Sequence, residues 1–173
     1  MTVGFTVPAF DLTDTDGAAH RLADRAGEPA TVVVFTCNHC PYALAWHDRI
    51  QAVARDYADR GVRVLQINAN DSAKYPRDSI EAMRARVEAG EFASPYLHDE
   101  SQEVARAWGA KTTPDVFVTD ASGVVYRGAP DADHGDPSLN AAWLREALDD
   151  VLAERPVARA ETTPVGCSIK WRA

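Results

Sequence analysis

Apolar positions along the chain change their period several times, and each change marks an element. Thr31-Val-Val-Val-Phe35 is β-branched and apolar with no alternation, the pattern of a strand buried on both faces. From Tyr42 to Arg60 the apolar positions fall at Leu44, Trp46, Ile50, Val53, Ala54 and Tyr57, close to one stripe of a helix, with Gly61 as its stop. Val62, Val64, Leu65 and Ile67 give a second core strand. Asp78-Ser-Ile-Glu81 resembles a capping box that opens a helix closed by Gly90. Ser94 to His98 reads as a short strand or extended link, with His98-Asp99 leading into a cap. Ser101 to Trp108 reads as a short helix stopped by Gly109. Val116 to Thr119 and Val124 to Arg127 flank Asp120-Ala-Ser-Gly123, a hairpin with a four-residue turn. Gly128 to Pro137 is polar and predicts a surface loop, and Trp143 to Leu152 predicts a last helix. Phe5 to Leu22 predicts an N-terminal β segment turning at Asp14-Thr-Asp-Gly17. Val157 to Ala173 has no clear period.

Strand and helix therefore alternate, which predicts an α/β layer structure. A chain of 173 residues has the size of one domain with a full core. We read 1–155 as that domain and 156–173 as an extended tail packed on it.

Composition changes this picture little: 46% apolar and 25% charged residues are ordinary for a globular protein. The formal net charge of −8 argues against nucleic acid and against anionic membrane surfaces as partners. No apolar run approaches the length of a membrane span. Met1-Thr-Val-Gly-Phe-Thr-Val-Pro has neither a basic region nor a long apolar core of a secretory signal, so a cytoplasmic location is expected. Three cysteines do not make a disulfide framework. In a reducing compartment a Cys-x-x-Cys reads as catalytic or metal-binding.

Cys37 and Cys40 fall between the first buried strand and the long helix. Pro41 suits a first helical turn, so both sulfurs are expected at a helix N-terminus, whose partial positive charge favours thiolate. One thiolate can attack a target disulfide and the other can resolve the mixed disulfide. His39, directly before Cys40, is a candidate for lowering a cysteine pKa. A zinc site would draw on Cys37, His39 and Cys40, completed by His47 or Cys167, but neither of those sits in a knuckle pattern, and no metal is expected. Asp131, Asp133, His134 and Asp136 lack the spacing of a calcium loop and read as a solvated loop. Trp46 reads as packing, and Trp171 beside Ile169 as an anchor for the tail. No Ser-His-Asp signature or phosphate-binding glycine loop occurs.

Taken together these residues resemble the thioredoxin-like superfamily in its redoxin (AhpC/TSA) branch, and within it a peroxiredoxin-like group with a Cys-x-x-Cys motif. Val7-Pro-Ala-Phe10-Asp-Leu12 with Asp16-Gly17, Phe35-Thr-Cys37-Asn-His-Cys40-Pro-Tyr42 and Thr163-Pro-Val-Gly-Cys167-Ser-Ile-Lys-Trp171 carry the likeness. The resemblance implies a thioredoxin-like fold, with a central mixed β-sheet flanked by helices, an N-terminal β extension and an extended C-terminal tail. It implies an oxidoreductase without a cofactor, acting on protein or low-molecular-weight disulfides and thiols, or on peroxides, and served by a thiol reductant. Thr112-Thr-Pro114-Asp-Val resembles the loop that faces the two cysteines with a cis proline and helps hold substrate, so Thr113 and Pro114 are expected there. The Cys-x-His-Cys order is similar to that of DsbA-type oxidants, which implies a more oxidising pair than thioredoxin's.

Two analogies assign the attacking sulfur differently. By thioredoxin analogy Cys37 is the exposed nucleophile and Cys40 the buried resolver, and we favour this. By peroxiredoxin analogy Cys40-Pro41 matches the peroxidatic position of Pro-x-x-x-Thr-x-x-Cys, with Val33 in the proline place and Cys37 in the threonine place. Arg127 is the candidate for the peroxiredoxin arginine. Thiol–disulfide exchange is thus the leading function, a thiol peroxidase using Cys40 the alternative, and a zinc-binding or redox-sensing module a third. Cys167 is open among a third redox thiol, an electron relay and a small buried hydrophobe.

Overall fold

The computed structural model describes residues 3–24 and 28–173. Met1 and Thr2, which open the stretch read for a secretory signal, lie outside the described residues. In chain order the elements are β1 (Asp11–Thr13), β2 (Ala19–Arg21), β3 (Ala30–Thr36), α1 (Pro41–Ala58), β4 (Val62–Asn68), α2 (Ile80–Glu88), β5 (Tyr96–His98), α3 (Glu103–Trp108), β6 (Thr112–Thr113), β7 (Asp115–Asp120), β8 (Gly123–Gly128), α4 (Ala142–Leu152) and β9 (Cys167–Ser168). The main sheet has the order β5-β4-β3-β7-β8. β3 runs parallel to β4 and β4 to β5, whereas β7 lies antiparallel to both β3 and β8. This is the mixed sheet that the family resemblance implies.

β3 lies at the centre of that sheet with all seven residues buried, which explains its unbroken apolar run. Val32 and Val34 join Val64, Val116 and Val118 on one face, under α1 and α4. Val33 and Phe35 join Leu65, Ile67 and Phe117 on the other, under Trp108 of α3, Phe10 of the N-terminal segment and Ile169 of the tail. Full burial of one such side chain is worth about 1.5–3 kcal/mol over leaving it exposed. β1 and β2 form the predicted N-terminal hairpin, shorter than the stretch from Phe5 to Leu22. Its turn is held by Asp14 Oδ1, which accepts from the Asp16 and Ala18 N–H groups. No helix among the described residues is long and apolar enough to cross a membrane.

Three expectations change. Leu44, counted in the apolar stripe, is 47% exposed: the buried face of α1 runs through Ala43, Trp46, His47 and Ile50, and Leu44 stands on its flank. Ser79, not Asp78, caps α2: its Oγ accepts from the Ala82 N–H, and Asp78 is turned inward instead. The loop from Gly128 to Pro137 is not simply solvated. Asp131 is buried in it, accepting from Trp46 Nε1 at 2.8 Å, from Arg49 Nη1 at 2.9 and 3.0 Å, and from the Ala141 N–H at 2.9 Å. Arg49 Nη2 also donates to the carbonyls of His134 and Asp136, so the loop is tied to α1. Every lone pair of the buried carboxylate that matters has a donor, which is what makes such burial tolerable.

The tail is held along its length. Ile169 is buried, the Lys170 N–H donates to Asn70 Oδ1, and the Lys170 carbonyl accepts from the Asp71 N–H and Gln102 Nε2. Trp171 lies under the Arg106 guanidinium, 4.6 Å from its ring centre, in the anchoring role the sequence suggests.

Replacing Asp131 with Ala leaves the Arg49 charge and two N–H donors unpaired in the interior. Urea unfolding is expected to show a loss of about 3–5 kcal/mol. Arg155→Ala, which removes a largely exposed pair with Asp150, is expected to cost less than about 1 kcal/mol. Acid stability provides a second check. His47 Nε2 donates to the Glu91 carbonyl at 2.6 Å, leaving Nδ1 to face the Gln51 amide and Arg86, both donors. Burial first, and Arg86 with it, push the His47 pKa below the ordinary 6.5. Below pH 6.5 the unfolded chain therefore binds a proton that the folded chain excludes, and stability falls with falling pH. His47→Gln is expected to make that fall shallower between pH 6.5 and 5, read as the unfolding midpoint across pH. An unchanged slope would contradict the neutral, buried assignment.

Candidate active site

The Cys-x-x-Cys segment leaves the carboxyl end of β3 and enters α1 within a β3–α1–β4 unit, where open α/β sheets gather their functional groups. Cys40 is the N-cap residue of α1, Pro41 occupies the first turn, and the Cys40 carbonyl accepts the helix bond from the Leu44 N–H. Cys37 lies three residues before this cap, in the loop that leaves β3.

Both middle residues of the motif are clamped. The Asn38 N–H donates to Asp78 Oδ1 at 2.7 Å, and its side-chain amide donates to the Arg77 carbonyl. Its side-chain oxygen accepts from Tyr96 Oη at 2.7 Å and Arg86 Nη1 at 2.9 Å. The His39 ring stacks on Tyr75, with Nδ1 2.7 Å from Asp78 Oδ2. That separation is within ion-pair range, but the angle falls outside hydrogen-bond geometry. Asp78 is itself fully buried and accepts from the side-chain amides of Asn68 and Asn70, which stand at and just past the end of β4.

Thr113 meets both cysteines, and the Thr113-Pro114 peptide is cis. Cys40 donates its thiol proton to the Thr113 carbonyl at 3.1 Å, and the Cys37 sulfur lies 3.4 Å from Thr113 Oγ1. The third cysteine comes to the same place. β9 pairs antiparallel with β6, setting Cys167 opposite Thr113, and Cys167 packs on the cluster of Cys37, Cys40 and Ala43. Gly166 is required there because a Cβ would collide with the Thr113 carbonyl. All three cysteines are thiols in this structure.

The burial of the pair corrects one expectation. Cys37, the exposed nucleophile of the thioredoxin analogy, is 1% exposed and Cys40 0%, while Cys167 is half-buried. The tail pairs with β6 and sets Cys167 against the pair. Electrostatics separates the two buried sulfurs. The neighbouring Cys40 sulfur raises the Cys37 pKa, and so do burial and the nearby Asp78 carboxylate. Cys40 is lowered by the Cys37 thiol foremost, and by Cys167 and Thr113, against the opposing effect of burial. The helix N-terminus acts in the same direction. The Thr113 carbonyl opposes it, since it accepts from the thiol and repels a thiolate. Cys167 is pushed up to about 11 by burial and by its Cys40 neighbour.

Cys37 Sγ, a ring nitrogen of His39 and a carboxylate oxygen of Asp78 lie within 4.8 Å of one another, a set of donors a cation could use. Asp78 already accepts from three protein donors, so an ion there competes with the clamp on the loop. His47 is held away from this group by Glu91 and Gln51. Arg127, the candidate peroxiredoxin arginine, pairs with Asp115 at 2.8 Å and donates to the Gly109 carbonyl. Asp78, Asn68 and Asn70 were missed from sequence. The one signal for the asparagines was polar residues directly after the apolar run of β4, at the carboxyl end of a parallel strand.

A thiol pair at the start of a helix, facing a cis proline on a mixed five-stranded sheet, defines a thiol-based redoxin. The AhpC/TSA family matches residues 3–127, and the chain belongs to that family. The chain is 40% identical to an uncharacterized conserved protein from Geobacillus kaustophilus, with a TM-score of 0.92 over 98% of this chain and 92% of that one. It is 38% identical to a hypothetical protein from Sinorhizobium meliloti, with a TM-score of 0.94 over 100% and 96%. Thiol-disulfide oxidoreductase ResA of Geobacillus thermodenitrificans is 26% identical over 129 residues, covering 73% of this chain and 68% of that one. The fold is thioredoxin-like.

Asp78→Asn removes the negative charge beside Cys37. In a Cys40→Ser, Cys167→Ser background, where Cys37 alone is alkylated, the pH midpoint of the iodoacetamide reaction is expected to fall by about one unit. An unmoved midpoint in a protein with unchanged circular dichroism would remove Asp78 from the electrostatics of the site.

Proposed function

We propose that this protein is a thiol–disulfide oxidoreductase in which Cys40 attacks and Cys37 resolves. The observation that carries the reading is the placement of Cys40 at the N-cap of α1, between the Cys37 thiol and the Thr113 loop, with its pKa driven down while that of Cys37 is driven up. The Cys40 thiolate displaces one thiolate from a substrate disulfide and forms a mixed disulfide. The negative charge on Cys40 is then gone, so the strongest influence holding the proton on Cys37 is relieved. Cys37 ionises, attacks the Cys40 sulfur and releases the second substrate thiolate. Two protein thiols become one Cys37–Cys40 disulfide, and the substrate disulfide becomes two thiols that take up the two protons.

This assignment reverses the preference for Cys37 drawn from the thioredoxin analogy and keeps the same pair. His39 acts on it through the Asp78 contact that fixes the loop. Protein and low-molecular-weight disulfides are the substrate classes, no cofactor takes part, and a thiol reductant of the cytoplasm regenerates the pair. Residues 156–173 are read as one unit with the redox domain, since their strand pairs with β6 and packs Cys167 on the other two cysteines. A peroxidase reading gains little support, because Cys37 stands in the threonine place and Arg127 is committed to Asp115.

Mixing the reduced protein with hydroxyethyl disulfide tests the reading. The wild type is expected to lose two hydrogens by mass with a Cys37–Cys40 link. Cys37→Ser is expected to trap a mixed disulfide on Cys40, and Cys40→Ser to lower the exchange rate at least a hundredfold. A mixed disulfide found on Cys37 in Cys40→Ser, with none on Cys40 in Cys37→Ser, would return the attack to Cys37.

A further inference from the structure

We propose that Cys167 is a third redox thiol, which takes the disulfide from the buried Cys37–Cys40 pair onto a Cys40–Cys167 link and so brings it to the surface. The inference rests on the exchange reading above and extends it to the route of re-reduction.

Four observations carry it. First, the sulfur that attacks has two sulfur neighbours: Cys37 and Cys167 both cluster with Cys40, and both act on its ionised form. Second, the position of Cys167 is built into the fold. β9 sets Cys167 in register with Thr113, the Ile169 N–H donates to the Lys111 carbonyl, and Gly166 permits a backbone approach that any side chain would block. Third, the tail is fixed downstream by Ile169, Lys170 and Trp171, so the contact of Cys167 with the pair is held by more than itself. Fourth, Cys37 and Cys40 are closed off from solvent whereas Cys167 is half-buried. Of the three sulfurs, Cys167 is the one that keeps exposed surface for a thiol reductant to meet.

The exchange is balanced within the chain. The Cys167 thiolate attacks the Cys40 sulfur of the Cys37–Cys40 disulfide, the Cys37–Cys40 bond breaks, and Cys37 leaves as a thiolate that takes the proton given up by Cys167. One disulfide and one thiol become one disulfide and one thiol, with no external oxidant. The step is timed by the state of Cys40. While Cys40 is a thiolate it holds the proton on Cys167; once Cys40 is in a disulfide that influence is lost, and Cys167 can ionise. An external thiol then attacks the Cys167 end of the new link, and Cys40 departs as the stabilised thiolate.

Brief oxidation of the reduced protein with diamide, acid quenching and disulfide mapping by mass spectrometry test the proposal. The wild type is expected to yield both Cys37–Cys40 and Cys40–Cys167 peptides, and Cys37→Ser to yield Cys40–Cys167 alone. Cys167→Ser, oxidised to Cys37–Cys40, is expected to be reduced by thioredoxin at least tenfold more slowly than the oxidised wild type. Formation of Cys37–Cys40 without any Cys40–Cys167 link in the wild type and in Cys37→Ser would overturn the relay and leave the exchange reading intact. Equal reduction rates for wild type and Cys167→Ser would also overturn it. Absence of a Cys37–Cys40 link in every protein would overturn the exchange reading instead.

Discussion

The peptide unit at Thr113 is the point on which the redox centre turns. Its carbonyl accepts the Cys40 thiol, its hydroxyl lies against the Cys37 sulfur, and its strand pairs with the segment that carries Cys167. A carbonyl has room for few close neighbours, and here the approach is tight enough that residue 166 must be glycine. The position of Thr113 is fixed in turn by β7, which follows Pro114 and pairs with the fully buried β3. The apolar centre of the sheet thus sets the distance between the cysteine loop and the tail, and the sulfurs inherit that distance.

Burial and reactivity pull in opposite directions at such a site. Taking a thiol out of water disfavours its ionised form, which would silence a cysteine with no partner. Cys40 offsets this with the start of α1 and with thiol neighbours that can turn their protons towards it. Cys37 has the opposite setting, because the buried Asp78 carboxylate stands nearby. Asp78 also receives the Asn38 N–H, so the group that disfavours charge on Cys37 is the group that holds the loop in shape. Fixing the loop and polarising the pair are done by one carboxylate, and the asparagines at the end of β4 keep it in place.

Much of this was legible in the sequence where the signal is local. The unbroken run of β3, the stripe of α1, the β7–β8 hairpin and the glycines after the helices all follow from short-range periodicity and turn chemistry. The cysteine spacing named the chemistry, and the resemblance placed Thr113 and Pro114 against it. What the sequence hid are polar groups buried by distant partners. Asp78 has the sequence surroundings of a helix cap, and Asp131 those of a solvated loop; each is interior because donors from α1, or from the cysteine loop and β4, converge on it. No local pattern distinguishes an exposed carboxylate from one whose donors lie far along the chain. Leu44 shows the converse, an apolar position that turns to the flank of the face that α1 buries.

Three sulfurs around one favoured charge have a consequence that two would not. With a single resolving thiol, the oxidised pair stays where it formed, with neither of its sulfurs at the surface. With a neighbour on each side, the Cys40 sulfur can change partners without leaving its place at the head of α1. Only the disulfide moves, from a side closed to solvent to a side that reaches it. The tail that packs Cys167 on the pair is then also the segment that connects the disulfide to the outside.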